Sequence, residues 1–235
     1  MNALLNAAPY CLACKVLFQA FELMNPYIFK TYAGLHAEKK RYWTQNMVTS
    51  FAAMVMCCMA VKTITEVGFD DFWATSAFGK ETFRFYLGYI WSDTDVMIRN
   101  WRAWPAPRIT FIHHFVTVLG CAMIDAKPVA HGFTALLLLG EITTPFLTQL
   151  YFFAEAGMKS SPLYGISGIL VVVLWVPFRI VSMGWVHRRM VQLRPTLLPY
   201  SIDVYIGCLS AVYVLQWYWL YRLVLGVTKH YKKRD

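Results

Sequence analysis

The sequence predicts an all-α protein, a polytopic bundle of about seven transmembrane helices. Three observations carry that expectation. The composition is 58% hydrophobic and 17% aromatic with only 15% charged residues, against roughly 25% charged in soluble domains. Apolar stretches that approach the roughly 20 residues a helix needs to cross the hydrocarbon core recur along the whole chain. Lysine and arginine gather in alternate connecting segments, as they do on the cytoplasmic side of membranes.

The candidate spans are residues 3–23, 45–62, 82–99, 109–125, 129–153, 163–187 and 202–227. The first and third are the weakest, because they carry Lys15 and Glu22, and Asp93 and Asp95. No Ser/Gly/Pro-rich linker, low-complexity tract or repeat divides the chain, so one membrane domain is expected. Its expected organisation is a first transmembrane or interfacial helix with a basic loop over residues 1–40, the membrane domain over 41–227, and a basic tail over 228–235. The N-terminal stretch MNALLNAAPYCLACK lacks a basic leader segment and a small-residue cleavage site, which argues for a helix rather than a cleaved signal.

Loop charge sets the orientation. Lys39, Lys40 and Arg41 in the first loop, Arg99, Arg102 and Arg108 in the third, and the terminal KHYKKRD belong inside. The second loop carries Glu66, Asp70 and Asp71 and belongs outside. Arg188, Arg189 and Arg194 break the alternation. Either the segment holding Pro145 is re-entrant or broken, or the rule fails locally. Ordinary positive-inside topology accounts for the basic loops, which could also attract anionic headgroups or coenzyme A phosphates. Trp101, Trp104, Trp217 and Trp219 suit the interfacial aromatic belt, with a partner surface as the alternative.

The six cysteines, Cys11, Cys14, Cys57, Cys58, Cys121 and Cys208, lie mostly in apolar runs and read as free thiols that act as small hydrophobes. Cys11 and Cys14 form a lone C-x-x-C, which without a second pair is a weak metal or redox signal. Neither a metal nor an organic cofactor is expected.

Ionisable groups within spans are costly and usually face the bundle interior. Five stand out: Asp93, His113, His114, Glu141 and Arg179. His113 and His114, in ITFIHHFVTVLG, point about 100° apart on a helix, with Thr117 one turn beyond. A neutral imidazole offers one donor and one acceptor, so one ring could serve as base or acyl carrier while the other holds substrate or partner. The alternative is a pair of histidines that cross-link helices by hydrogen bonds. Adjacent histidines do not converge on one metal ion.

Glu141 lies midway along ALLLLGEITTPFLTQLYFF. Pro145, four residues on, removes the N–H that Glu141's carbonyl would accept, and should kink the helix where protein or a cavity receives the freed groups. Glu141 is either a site residue or a paired glutamate that locks helices together. Asp95 precedes Arg99 by one turn, in the favourable order for an ion pair. Asp93 points the other way. Arg179 follows Pro177 deep in a span and calls for a carboxylate or phosphate, with Asp93 and Glu141 as available counter-ions.

Taken together, GYIWSD at 88–93, IHHFVT at 112–117, GEITTPFL at 140–147 and FRIV at 178–181 resemble the TLC-domain family of polytopic membrane proteins, the group that includes the ceramide synthases. The resemblance covers roughly residues 40–227. It implies a TLC-like bundle of about six core helices around a polar cavity open to lipid, lined by Asp93, His113, His114, Glu141 and Arg179. In ceramide synthases the paired histidines are central to acyl transfer from acyl-CoA. The chain departs from that subgroup: His131-Gly132 stands where an H-D-x-x-D pattern would begin, Ala52 stands for a histidine, and PFLTQL replaces the P-F-L-N-x-R of other relatives.

The reading is therefore a membrane protein whose polar cavity binds or processes lipid, with His113 and His114 as catalytic candidates and Asp93, Thr117, Glu141 and Arg179 as substrate-binding ones. The alternative is a non-catalytic subunit of a larger membrane assembly. Membrane lipids are the expected partners, with acyl-CoA and other membrane-protein subunits as candidates; nucleic acid is not expected. The resemblance implies the endoplasmic reticulum, the mitochondrial inner membrane being the alternative. A transporter is disfavoured, because no two-half symmetry is visible. His114→Ala should destabilise or empty the site, whereas His131→Ala, near a span end, should do little.

Overall fold

The computed structural model describes residues 2–102, 104–126, 129–196 and 199–232. They are helical almost throughout, with no strand among the described residues. Seven long helices correspond one to one with the seven expected spans: α1 (Asn2–Ile28), α3 (Ala37–Val67), α4 (Ala77–Arg99), α5 (Pro107–Ala126), α6 (His131–Glu155), α7 (Pro162–Leu193) and α8 (Pro199–Lys232). A four-residue turn of helix, α2 (Lys30–Ala33), was not foreseen.

By length and hydropathy alone, four of these helices can cross a membrane: α1, α3, α6 and α7. The first span is thus stronger than its charges suggested. Lys15 reaches across to Asp95 at 2.8 Å, and Asp95 also accepts from Arg99 Nε at 3.0 Å, so charges on α1 and α4 are paired with one another.

Without a hydrophobic force between helices in lipid, close packing depends on small residues that let backbones approach. Ala52, Ala53 and Ala60 on α3 are buried at 1% exposure or less. α1 lies along α4, α3 packs on α1, α4 and α6, α5 sits between α4 and α8, and α7 closes the bundle against α6 and α8. Met56, Phe83, Leu87 and Phe133 form the centre of the main core.

Contacts at the helix ends sort the loops into two sets. At one end, Lys39 pairs with Glu155, Arg41 donates to Asn100, and Tyr42 stacks edge-on with Trp104. At the other, Ala130 N–H donates to Phe72 O at 2.6 Å, and Trp185 meets both Phe69 and Phe133. α6 therefore runs from one end to the other and is not re-entrant. The break in charge alternation is real: Arg188, Arg189 and Arg194 share an end with the acidic second loop, and Arg194 is taken by Asp203 at 2.7 Å.

Two helices are locally reshaped. In α6, residues Leu139–Thr143 tighten into a 3₁₀ segment, because Pro145 has no N–H for Glu141's carbonyl and the Thr144 N–H takes it instead. In α7, Val176–Val181 widen into a π segment around Pro177, with the Ser182 N–H reaching Pro177 O. Both distortions sit beside the polar residues singled out in these helices.

Two tryptophans are misplaced by the belt expectation. Trp104 is buried at 8% exposure, held against Tyr42, and Trp219 turns inward to meet His113 and Trp175. Aromatic contacts inside the bundle outcompete the interface at these two positions. Trp101 and Trp217 are exposed. Of the basic tail, residues 228–232 continue α8, and residues 233–235 lie outside the described residues.

Candidate functional site

The two adjacent imidazoles face different helices, as their 100° offset on α5 requires. His114 turns to α4. Its Nδ1 lies 2.8 Å from Thr94 Oγ1 and its Nε2 lies 3.3 Å from Asp93 Oδ2. Asp93 Oδ1 accepts from Gln45 Nε2 at 2.6 Å, which brings in α3. All three of Asp93, His114 and Gln45 are buried.

The proton inventory of this cluster is tight. Thr94 has one hydroxyl proton and two acceptors within reach, His114 Nδ1 and the carbonyl of Ile90 at 2.7 Å. If it donates to Ile90, His114 carries its proton on Nδ1; if it donates to His114, the ring proton is on Nε2. In either arrangement the contact between Nε2 and Oδ2 needs a proton. Both nitrogens of His114 are engaged by protein.

His113 turns to α8. Its ring lies edge-on to Trp219 with centroids 5.2 Å apart, and its Nδ1 has no hydrogen-bond partner among the described residues. The doublet thus contains one tethered imidazole and one with an unclaimed nitrogen.

Glu141 and Arg179, each on a distorted segment, face each other across α6 and α7. Arg179 Nη2 lies 3.3 Å from Glu141 Oε1 and donates to Thr144 Oγ1 at 3.2 Å, while the Thr144 hydroxyl donates to Glu141 Oε2 at 2.7 Å. Arg179 Nε is shared between Gly140 O and Thr143 Oγ1, both at 2.9 Å. The guanidinium also lies over the Trp175 ring at 4.6 Å. Of the two counter-ions open to Arg179, Glu141 is the one it meets; Asp93 is committed to Gln45 and His114.

Two chambers meet at these residues. The wider, about 440 Å³, is lined by His113, His114, Glu141 and Arg179 together with Tyr86, Tyr89, Trp175 and Trp219, and extends toward Ala106, Thr110 and Arg222 at the end that holds the first and third loops. The narrower, about 90 Å³, shares Tyr86, His113, Glu141 and Arg179 with it and continues between Thr117, Leu137, Met183, Leu209 and Gln216 toward the opposite end. Five helices, α4, α5, α6, α7 and α8, contribute to both.

Each residue singled out in the sequence lies at or next to this place. His113, Glu141 and Arg179 line both chambers, His114 the wider, and Thr117 the narrower. Asp93 lines neither and touches the site through His114. Ala52, where a histidine was considered, is 1% exposed within the main core. Thr148 bonds Ser50 and the carbonyl of Pro145, outside the chambers. Sequence reasoning missed Gln45, Thr94, Tyr86, Trp175 and Gln216. Gln45 and Gln216 are uncharged amides in apolar runs, a signal that a search confined to ionisable groups does not register.

His131 corrects another expectation. It is 1% exposed, its Nδ1 accepts the Ser76 N–H at 3.1 Å, and its ring packs edge-on against Phe83 at 5.1 Å. Being near a span end does not make it peripheral. The second loop folds back over the start of α6 and buries it.

A helical bundle with apolar spans that gathers histidines, a glutamate and an arginine from separate helices around a chamber is a polytopic membrane protein. The model of the TLC domain matches residues 41–225, and the chain belongs to that family. It is 23% identical over 176 residues to an uncharacterised TLC domain-containing protein of Schizosaccharomyces pombe, covering 72% of this chain and 59% of that one. It is 25% identical over 150 residues to TLC domain-containing protein 4-B of Xenopus laevis, with coverage of 62% and 57%, and 24% identical over 154 residues to TLC domain-containing protein 4 of Homo sapiens, with coverage of 64% and 58%. The chain thus spans less than two thirds of the length of these relatives.

Proposed function

We propose that this protein binds an amphiphilic lipid within the chambers, with the polar end beside His113, Glu141 and Arg179 and the apolar portion between α5, α7 and α8. The single observation that carries the reading is the 440 Å³ chamber on which four of the singled-out polar residues converge. Pockets that take small amphiphiles are mostly apolar with a few converging polar groups, and this lining fits that description.

The division of labour between the histidines follows from their partners. His114 is tethered at both nitrogens and serves to position α5 against α4. His113 keeps an unpartnered nitrogen and a place in both chambers, so in an acyl-transfer reaction it would be the group that meets substrate. Its imidazole would take the proton from an attacking group or receive the acyl group itself. Arg222, which also lines the wider chamber, would meet an anionic portion such as a headgroup or a coenzyme A phosphate.

The test is native purification of the full chain from its membrane, followed by lipid mass spectrometry and identification of co-purifying proteins. Stoichiometric retention of one lipid class, lost in His113→Ala, is expected. A lipid profile equal to that of bulk membrane, together with a stable set of partner proteins, would instead support the accessory-subunit reading. Fractionation of the same membranes distinguishes the endoplasmic reticulum from the mitochondrial inner membrane.

A further inference from the structure

We infer that the narrower chamber receives the hydroxyl group of an uncharged lipid alcohol. The inference rests on the lipid-binding reading above and narrows the class of ligand.

Two residues that line this chamber each hold a buried side-chain polar atom with no partner among the described residues. Gln216 is 1% exposed and its side-chain Oε1 is unpaired, although its backbone carbonyl accepts from Trp175 Nε1 at 3.2 Å. His113 Nδ1 is likewise buried and unpaired. Leaving such groups unsatisfied is costly, so an occupant that completes them is favoured.

The nature of that occupant follows from what the atoms can do. An amide can present oxygen or nitrogen at nearly the same position, and an imidazole can carry its proton on either nitrogen. A hydroxyl donates and accepts, so it can meet Gln216 or His113 in any of these states. An ether or ester oxygen accepts only, and cannot.

Charge narrows the class further. Glu141 and Arg179 are the carboxylate and guanidinium in this lining, and each is already spent on the other and on Thr144. Neither is left to neutralise an ammonium or a phosphate, and burying an unpaired charge is costly. The rest of the wall carries no charged side chain: it is apolar at Val116, Leu137 and Met183, with hydroxyls at Thr117, Thr134 and Tyr205. Sterols and long-chain alcohols share the chemistry this lining requires.

The experiment uses the full chain in detergent micelles with three photoreactive probes on one long alkyl chain: an alcohol, its methyl ether and the corresponding ammonium. Cross-linked peptides are mapped by mass spectrometry. The alcohol should label α5 and α8 around the chamber about tenfold more than the ether, the factor expected for loss of one buried hydrogen bond, and more than the ammonium. Gln216→Leu should bring alcohol and ether together. Competition by unlabelled long-chain alcohol or by a sterol identifies the source, and failure of both to compete overturns the inference. Chamber labelling that is equal for alcohol and ether in the unmodified protein, or strongest for the ammonium, overturns the hydroxyl inference and leaves the lipid site standing. Labelling confined to the outer surface by every probe removes the lipid site itself.

Discussion

The Nε2 of His114 stands 3.3 Å from the Oδ2 of Asp93, and this contact joins α5 to α4 inside the bundle. In a double-mutant cycle of Asp93→Asn and His114→Ala, measured by thermal unfolding in detergent, the two changes should be coupled by about 1–2 kcal/mol. Additive effects would mean that the two groups do not support one another.

The pair formed by Arg179 and Glu141 should behave asymmetrically. Arg179→Met strands a half-buried carboxylate and should cost about 3 kcal/mol, while adding Glu141→Leu should recover most of the loss. Arg179→Lys should not substitute, since a single ammonium cannot reproduce the bonds to Gly140 O, Thr143 and Thr144. Unfolding midpoints of the three variants decide this.

His131→Ala should be costly, contrary to what its position in the sequence implies. It strands the Ser76 N–H at the start of α4 and leaves a void beside Phe83. A loss of about 1–3 kcal/mol is expected, with earlier proteolysis in the second loop as an independent readout. A variant as stable as the parent would show that the loop finds another partner.

At Gly88, α4 lies directly against the backbone of α1. A methyl group there would lie 2.6 Å from Tyr10 Cβ and 2.7 Å from Ala7 O and Cys11 N. Backbone atoms cannot yield as a flexible side chain does, so Gly88→Ala should push α1 away and cost about 1–3 kcal/mol. Cys11, 5% exposed, should then react faster with a maleimide, followed site by site by mass spectrometry.

The helices were legible because their signals are local: apolar length, loop charge and the position of proline. The rearrangement at Pro145 follows from a missing N–H four residues from Glu141, which can be counted along the chain. Which carboxylate meets Arg179 could not be counted, since Asp93 and Glu141 are both far from it in sequence and only packing separates them. The same holds for His131, whose partners Ser76 and Phe83 come from a loop and helix more than forty positions earlier. Trp219 reads as a belt residue by composition, and only the placement of His113 shows that it faces inward.

The widened turn at Val176–Val181 fixes the rotational phase of everything after it in α7. Winding the same residues as a regular α-helix would swing the stretch from Ser182 to Leu193 by about 100° about its axis. Met183, Val186 and Met190, now turned to the core, would then be carried off it. The wide turn that presents Arg179 to Glu141 therefore also keeps the far half of the helix in register with its neighbours, because it absorbs the one residue that a regular α-helix of the same sequence would turn into a rotation.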